Sequence, residues 1–150
     1  MPSKFQQQVI SVTSAGDIDY VKTGVKDARI QFAQAEAHFK SATKVVDEDW
    51  PGSFILTYEA ARKSVQAVLA AHGMRIKKFE SAHKVIVAIS TVELFDQVSW
   101  KKLDWMRTRR HDVQYANPDK PDVTLQDCEV ALAAARLMLD DAAKIIESLA

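Results

Sequence analysis

The residues best suited to chemistry lie in the segment 104–115, whose sequence is DWMRTRRHDVQY. A helix turns by about 100° per residue, so Arg107, Arg110 and His111 share one face through their spacing of three and four positions. That face would present two guanidiniums and a titratable imidazole to a phosphate group. The alternative is an ordinary solvated helix end, where cations interact favourably with the helix dipole.

The charge of the chain is balanced as a whole but uneven along its length. Twenty basic and twenty acidic residues cancel, so no global field attracts nucleic acid. Residues 101–120 carry six Lys or Arg against three Asp, whereas residues 121–150 carry two against six acidic residues. We therefore expect any anion-binding site to lie near the former segment.

The remaining motifs do not indicate metal or cofactor chemistry. Glu80 and His83 form a single Glu-x-x-His, whereas a di-iron bundle needs two such pairs and further carboxylates. The four glycines form no Gly-x-Gly or Walker pattern that would cradle a phosphate. No His-x-x-x-His pair occurs among the histidines, which are His38, His72, His83 and His111. We therefore expect no metal and no cofactor.

Two further residues each allow two interpretations. His83 begins a predicted helix close to the basic link 75–78 (RIKK), which suits an anion ligand. The alternative is a histidine that packs and hydrogen-bonds at a helix start. Arg109 either points inward with Arg110 or outward to water, and the local sequence leaves both open.

The apolar pattern predicts helices along most of the chain. Residues 1–16 are polar with weak alternation and are predicted to be an arm or loop, whereas 17–150 are predicted to form one domain. Apolar residues then recur three and four positions apart, the period of an amphipathic helix. Thr124 and Asp127 suit the start of the last helix, and Gly73 suits the end of the second. The predicted helices cover residues 21–46, 50–72, 81–95, 99–113 and 124–149. Five helices with short links and no hairpin signal predict an all-α, antiparallel helical bundle.

Cysteine usage and hydropathy indicate the cellular compartment in which the protein is expected. The single cysteine, Cys128, has no partner for an internal disulfide and falls on an apolar stripe, so we expect it to be buried. No run of 18 apolar residues and no signal-peptide core occurs. These features predict a cytoplasmic protein without a membrane partner.

Four segments follow one another in an informative order. Segment 58–73 (YEAARKSVQAVLAAHG) has an aromatic residue, then small and basic residues, and a helix-ending glycine, and segment 81–86 (SAHKVI) opens a helix with a histidine. An arginine-containing helix at 106–115 and a long closing helix at 124–149 come next. In this order they resemble the helices of HEPN (higher eukaryote and prokaryote nucleotide-binding) domains, over residues 21–149.

The resemblance implies a helical bundle that is usually dimeric, with the two signature helices facing each other. HEPN ribonucleases are often toxins or defence effectors, and HEPN proteins often occur with a nucleotidyltransferase-like partner or an antitoxin. The signature arginine is implied to bind phosphate. The signature histidine is implied to assist attack by the ribose 2′-hydroxyl.

The chain departs from that signature at its last position. The HEPN ribonuclease motif is Arg, a polar residue, three to five further residues and His. Arg110 and His111 match the first two positions, but the distal histidine is absent and Tyr115 stands at its earliest place. A phenol with a pKa of about 10 is a poor base at pH 7. The segment is closer to a HEPN variant that ends in Arg-Asn/His-x-x-x-Tyr.

Three functions remain open from the sequence. The first is a homodimeric HEPN-like domain that binds RNA or a nucleotide through its arginine-rich helix, in a toxin–antitoxin or defence system. The second is a metal-independent endoribonuclease toxin that uses the same helix, and the third is a non-catalytic protein-interaction or dimerisation module. The residues assigned to catalysis are Arg110, His111 and Tyr115, and those assigned to RNA or nucleotide binding are Arg107, Arg109 and His83.

Overall fold

The computed structural model describes residues 2–14, 16–22, 24–77, 82–95, 97–115, 118–119 and 121–150. These ranges are mostly helical and include one pair of short strands. The elements are α1 (Lys4–Val12), β1 (Ile18–Tyr20), α2 (Val25–Val45), α3 (Trp50–Ala71), β2 (Met74–Ile76), α4 (Ala82–Ile89), α5 (Gln97–Trp100), α6 (Lys102–Gln114) and α7 (Leu125–Ser148). The predicted all-α helical bundle is confirmed.

The long helices α2, α3 and α7 pack on one another and form the body of the bundle. A short link joins α2 to α3, which places the two side by side. Alanines at intervals of seven on α2 (Ala28, Ala35 and Ala42) are fully buried. Their small side chains let neighbouring helices approach closely. Helix α3 is buried over much of its length, so it is the central helix on which the others are arranged.

Local sequence signals account for the main helix ends. The Asp49 side chain accepts a hydrogen bond from the Gly52 amide at the start of α3, and Pro51 stands in its first turn. Gly73 follows α3 with a φ of 73°, a left-handed conformation that suits glycine. Thr124 and Asp127 form a reciprocal capping box at the start of α7. The last two features agree with the sequence predictions.

The smaller helices α5 and α6 close one side of the bundle. Trp100, Leu103 and Met106 are buried in the core. The Trp100 indole Nε1 donates a hydrogen bond to the Asp141 carboxylate at 2.8 Å, which attaches α5 to α7. Cys128 is buried as expected, and its thiol contacts the carbonyl oxygen of Trp50 at 3.3 Å. These contacts attach α7 to α5 and to the start of α3.

The expectation of an arm or loop over 1–16 is wrong for residues 4–12. They form α1, which begins with a capping box between Ser3 and Gln6. Phe5 and Val9, four positions apart, are buried in the core, while Gln7 between them is exposed. Val12, three positions further on, also packs against the core, so Phe5, Val9 and Val12 form a short helical stripe that the sequence prediction missed.

Two further expectations were wrong in detail. Strands β1 and β2 pair antiparallel, with Asp19 opposite Arg75, although the sequence showed no hairpin signal. The pairing joins segments more than fifty residues apart, so no hairpin turn in the local sequence indicates it. The helix predicted over 81–95 ends at Ile89, and the one predicted over 99–113 divides into α5 and α6.

Candidate functional site

Helices α3, α4 and α6 bring a set of polar side chains together on one side of the bundle. Helix α3 packs against both α4 and α6, and α4 also contacts α6. Spacings of three and four positions on α3, and of three on α6, direct the side chains of each helix to the same side. The α3–α4–α6 cluster consists of Tyr58, Glu59, Arg62, His83, Arg107 and Arg110.

Tyr58 lies at the centre of the cluster and is fully buried. Its hydroxyl is 2.8 Å from Nδ1 of His83, and the two ring centroids are 5.6 Å apart. Burial raises the pKa of Tyr58 to about 12, because the phenolate would lose its hydration. Tyr58 is therefore a neutral hydroxyl at physiological pH, and it orients the imidazole.

His83 is held in its neutral form. Burial lowers its pKa, and the positive charges of Arg110 and Arg62 lower it further. Its Nδ1 is engaged by the Tyr58 hydroxyl, so Nε2 is the ring nitrogen that remains for other interactions. A neutral imidazole beside guanidiniums can donate or accept a single hydrogen bond, according to its tautomer.

Arg110 provides the least satisfied group of the cluster. Its guanidinium carbon lies 5.7 Å from the centroid of the Tyr58 ring, which is within range of a cation–π interaction. Its Nε is buried and has no hydrogen-bond partner among the residues that the structure describes. A buried donor without an acceptor is costly. Within the described residues, the protein therefore leaves this donor without an acceptor of its own.

The other two arginines of the cluster have acidic partners. Arg62 donates both Nε, at 3.1 Å, and Nη2 to the same oxygen of Glu59. Burial alone would raise the pKa of Glu59, but the hydrogen bond and charge of Arg62, followed by the charge of Arg110, lower it. Arg107 pairs with the exposed carboxylate of Asp104 at 2.9 Å. The cluster thus combines two paired guanidiniums with the unpaired one of Arg110.

Arg107, Arg110 and His83, three residues assigned from the sequence, therefore lie together. Arg109 points elsewhere: it donates to the carbonyl oxygen of Pro121 at 2.9 Å and to the Asp127 carboxylate at 3.3 Å. These bonds connect α6 to the start of α7.

His111 and Tyr115 form a separate exposed pair at the end of α6. Their ring centroids are 4.6 Å apart with nearly perpendicular planes, and Tyr115 is 68% exposed. Within the described residues, neither forms a hydrogen bond, ion pair or ring contact with the α3–α4–α6 cluster. The face expected to hold Arg107, Arg110 and His111 is therefore divided, with the arginines toward the cluster and the histidine toward solvent.

Comparison with known proteins assigns the fold to a family. The model of the HEPN domain matches residues 28–146. The chain belongs to the HEPN family. No curated protein and no solved structure matches it. The matched range contains every residue of the α3–α4–α6 cluster, whereas α1 and β1 precede it.

Sequence reasoning missed three residues of this HEPN site: Tyr58, Glu59 and Arg62. Tyr58 is a buried residue of α3, and its hydroxyl contacts His83 from another helix, α4, which the spacing along α3 does not indicate. The Glu59–Arg62 spacing was a usable signal, since oppositely charged residues three apart on a helix can pair. That pair stands out in a helix otherwise rich in alanine.

The described part of the HEPN domain contains neither a metal-binding cluster nor a membrane-spanning helix. No three His, Cys, Asp or Glu side chains there gather closely enough to hold a metal ion. None of the helices in that part is long and apolar enough to cross a membrane. Glu80 and Lys78, which the sequence analysis considered beside His83, lie outside the described residues.

Proposed function

We propose that this HEPN domain binds a phosphate group of RNA or of a nucleotide in the α3–α4–α6 cluster, with Arg110 as the principal ligand. The observation that carries this proposal is the Arg110 guanidinium, which lies over Tyr58 and, unlike those of Arg62 and Arg107, has no acidic partner among the described residues. Membership of the HEPN family supports a function related to RNA or nucleotides.

The chemistry of the arginines suits a phosphate. A guanidinium presents planar, paired donors that match two phosphate oxygens, and hydrogen bonds between charged groups are stronger than neutral ones. Arg107 can join Arg110, because its partner Asp104 is 60% exposed and such a surface pair is weak. Arg62 is held by Glu59 and therefore orients the site rather than binding the ligand directly.

We also propose that the site lies at the cleft of a homodimer, in which two copies of α6 face each other. The second copy would double the number of guanidiniums around the ligand. This matters because a monomer without net charge has no overall field that attracts an anion. The exposed pair His111 and Tyr115 would then line the same cleft. We place this dimer in the cytoplasm, in a toxin–antitoxin or defence system with an antitoxin or nucleotidyltransferase-like partner.

A second candidate function is metal-independent cleavage of RNA. The observation that favours it is the neutral imidazole of His83 beside Arg110, because a neutral imidazole can accept a proton at pH 7. His83 would supply the basic group that Tyr115 supplies poorly. Arg110 would stabilise the charge that develops on the phosphate.

One experiment addresses both functions: fluorescence anisotropy of a labelled single-stranded RNA, in EDTA at low salt, followed by a denaturing gel. We expect Arg110→Ala to weaken binding by about 10-fold or more, since it removes charged hydrogen bonds. The matched control is Arg29→Ala, an exposed arginine paired with Glu147, which should leave the affinity unchanged.

The outcomes separate the candidates. RNA that stays intact and binds only when Arg110 is present supports the binding function. RNA that is cut by the wild type but not by Arg110→Ala supports the ribonuclease. The proposed site is contradicted if the wild type does not bind RNA, or if the wild type and Arg110→Ala bind RNA equally.

A further inference from the structure

We infer that a groove between α4 and α6 binds a guanine base next to the phosphate held by Arg110, with the Asp104 carboxylate accepting hydrogen bonds from the Watson–Crick edge of the base. This inference rests on the proposed phosphate site and adds the identity of the base to it. The arginines bind the phosphate of this ligand, and Asp104 determines the choice of base.

The α4–α6 groove is a pocket of about 270 Å³ beside the α3–α4–α6 cluster. Sites for drug-sized ligands usually exceed about 300 Å³, so this groove suits a single base. Val87 and Trp100 supply apolar surface against which a flat base can pack, and Lys101 and Asp104 supply opposite charges. The residues that line the groove are Val87, Ser90, Thr91, Trp100, Lys101 and Asp104.

The first argument is the distance between the groove and Arg110. His83 at the start of α4 is close enough to Arg110 for its charge to act on the imidazole, and Val87, one turn later on α4, shares the groove with Asp104. Asp104 and Arg110, with Arg107 between them on α6, are separated by about 9 Å along the helix axis. One sugar separates the phosphate of a nucleotide from its base, so a ligand whose phosphate meets Arg110 reaches the groove with its base.

The second argument is the chemistry that Asp104 already accepts. Arg107 donates to its Oδ1 from Nε at 3.1 Å and from Nη2 at 2.9 Å. These two N–H groups belong to one N–C–N unit, and guanine presents the same unit as N1–H and the N2 amino group on its Watson–Crick edge. Oδ2 of Asp104 accepts no hydrogen bond from the described residues. The carboxylate is therefore matched to the donor pattern of guanine and has an oxygen available for it.

The third argument is that a guanine nucleotide replaces the Arg107–Asp104 ion pair on both sides. Asp104 is 60% exposed, so the pair is weak and Arg107 is able to turn toward a phosphate. That movement alone leaves the carboxylate without a donor, whereas the edge of guanine restores two donors. Adenine and cytosine have an acceptor nitrogen beside their amino group, and uracil has its one ring N–H between two carbonyls. None of these three bases offers a carboxylate two adjacent donors.

The other polar groups of the groove agree with this edge. The hydroxyls of Ser90 and Thr91 each donate to a backbone carbonyl oxygen at 2.6 Å, so they present acceptors to a ligand. Lys101, three residues before Asp104, is a donor, and guanine has its O6 acceptor next to N1–H. The groove thus offers a carboxylate for the two donors of guanine and an ammonium for the neighbouring acceptor.

The test uses two ligands that differ in one amino group, guanosine 5′-monophosphate and inosine 5′-monophosphate. Inosine retains N1–H and O6 but lacks the N2 amino group, so the pair isolates one hydrogen bond to Asp104. Each nucleotide is titrated into isotope-labelled protein at pH 7.5, and affinities come from NMR chemical shifts. We expect the guanosine nucleotide to bind about threefold to tenfold more tightly, the range for one hydrogen bond.

Three variants assign this preference to the groove. Asp104→Asn should abolish it, while the affinity for the inosine nucleotide stays the same or rises, because Arg107 loses its carboxylate partner and is free for the phosphate. A purely structural role of Asp104 would instead weaken both ligands. The matched control is Asp140→Asn, an exposed aspartate paired with Arg136 on α7, which should leave both affinities unchanged. Arg110→Ala should weaken both ligands alike.

A second assay distinguishes a guanine in RNA from a free guanine nucleotide. A short oligouridine RNA with one central guanosine is compared, by fluorescence anisotropy, with the same RNA carrying inosine at that position. A preference for guanosine in both assays assigns the groove to a base of RNA. A preference confined to the mononucleotides assigns it to a free guanine nucleotide.

The outcomes separate this inference from the proposed function. Equal affinity of the wild type for the guanosine and inosine ligands in every assay that shows binding, or a preference that survives Asp104→Asn, would overturn the inference and leave the Arg110 site standing. No binding of either mononucleotide, together with no binding of RNA, would overturn the proposed function itself.

Discussion

Arg136 and Arg110 differ in how far their guanidiniums are hydrogen-bonded within the protein. Arg136 donates to both oxygens of Glu36, at 2.8 and 3.2 Å, and also to Asp140. Arg110 is packed over Tyr58, and its buried Nε has no acceptor within the described residues. Natural structures satisfy most buried donors. The Arg110 guanidinium is therefore better suited to the proposed binding of a ligand than to stabilising the fold.

This contrast gives a prediction about stability at the residue scale. We expect Arg110→Met to leave the free energy of unfolding unchanged within about 0.5 kcal/mol, or to raise it, because the variant removes an unsatisfied donor and keeps the apolar stem. The measurement is urea unfolding followed by circular dichroism. Arg109→Met is the matched control and should lose about 1 kcal/mol, since it breaks the bonds to Pro121 and Asp127. Equal losses in the two variants would mean that Arg110 is a structural residue.

Helix α1 shows how an element that precedes the family match supports the bundle. The Phe5 ring packs against the His72 ring at a tilt of 40°, with centroids 4.3 Å apart, and the Gln6 amide donates to the His72 carbonyl oxygen at 2.7 Å. Helix α1 also packs against α4, which carries His83. The N-terminal helix therefore steadies the element that positions His83 beside Tyr58.

The docking of α1 on His72 is expected to depend on pH. Burial lowers the pKa of His72, and its Nε2 is buried without a partner among the described residues. The unfolded chain therefore binds a proton at a higher pH than the folded chain, so stability falls as the pH drops below about 6.5. We expect the α1 amides to exchange faster at pH 5 than at pH 7, beyond the intrinsic change in rate.

The control for this effect is His72→Phe, which retains an aromatic ring against Phe5 but does not titrate. Its α1 amides should show little dependence on pH. Because His83 also has a lowered pKa, global unfolding would combine the two histidines, whereas exchange confined to α1 reports His72. An unchanged pH response in His72→Phe would show that another group controls the docking of α1.

At the scale of the whole molecule, the balance of charge predicts a weak dependence of binding on salt. The chain has no net charge, so affinity for RNA must come from local contacts rather than a general field. For single strands, the slope of log affinity against log salt is roughly −0.7 per phosphate contacted. Arg107 and Arg110 of one protomer would give a slope of about −1.4, and a dimer cleft about −2.8.

The measurement is RNA anisotropy across a series of salt concentrations, with the oligomeric state determined by sedimentation. Arg107→Ala should make the slope shallower by about 0.7 for each site, while Arg29→Ala should not change it. A slope near −6 would indicate a broad basic surface, which contradicts a site limited to these two arginines.

Features that depend on neighbours along the chain follow directly from the amino-acid sequence. Gly73 at the end of α3 and the Thr124–Asp127 capping box are satisfied by residues within a few positions. The helical periodicity and the order of segments were enough for the all-α bundle and for the HEPN resemblance, which the family match confirms. The assignment of site residues to binding and catalysis remains a prediction.

Which side chains meet depends on how the helices pack in three dimensions. The β1–β2 pairing, the docking of α1 and the contact between Tyr58 and His83 join residues distant in sequence, and no local hydrogen bond or spacing encodes them. Helical spacing placed Arg110 and His111 near one face, but it does not specify which edge of that face meets α3. Packing on α3 turned Arg110 toward Tyr58 and left His111 in solvent, because burial depends on neighbouring helices.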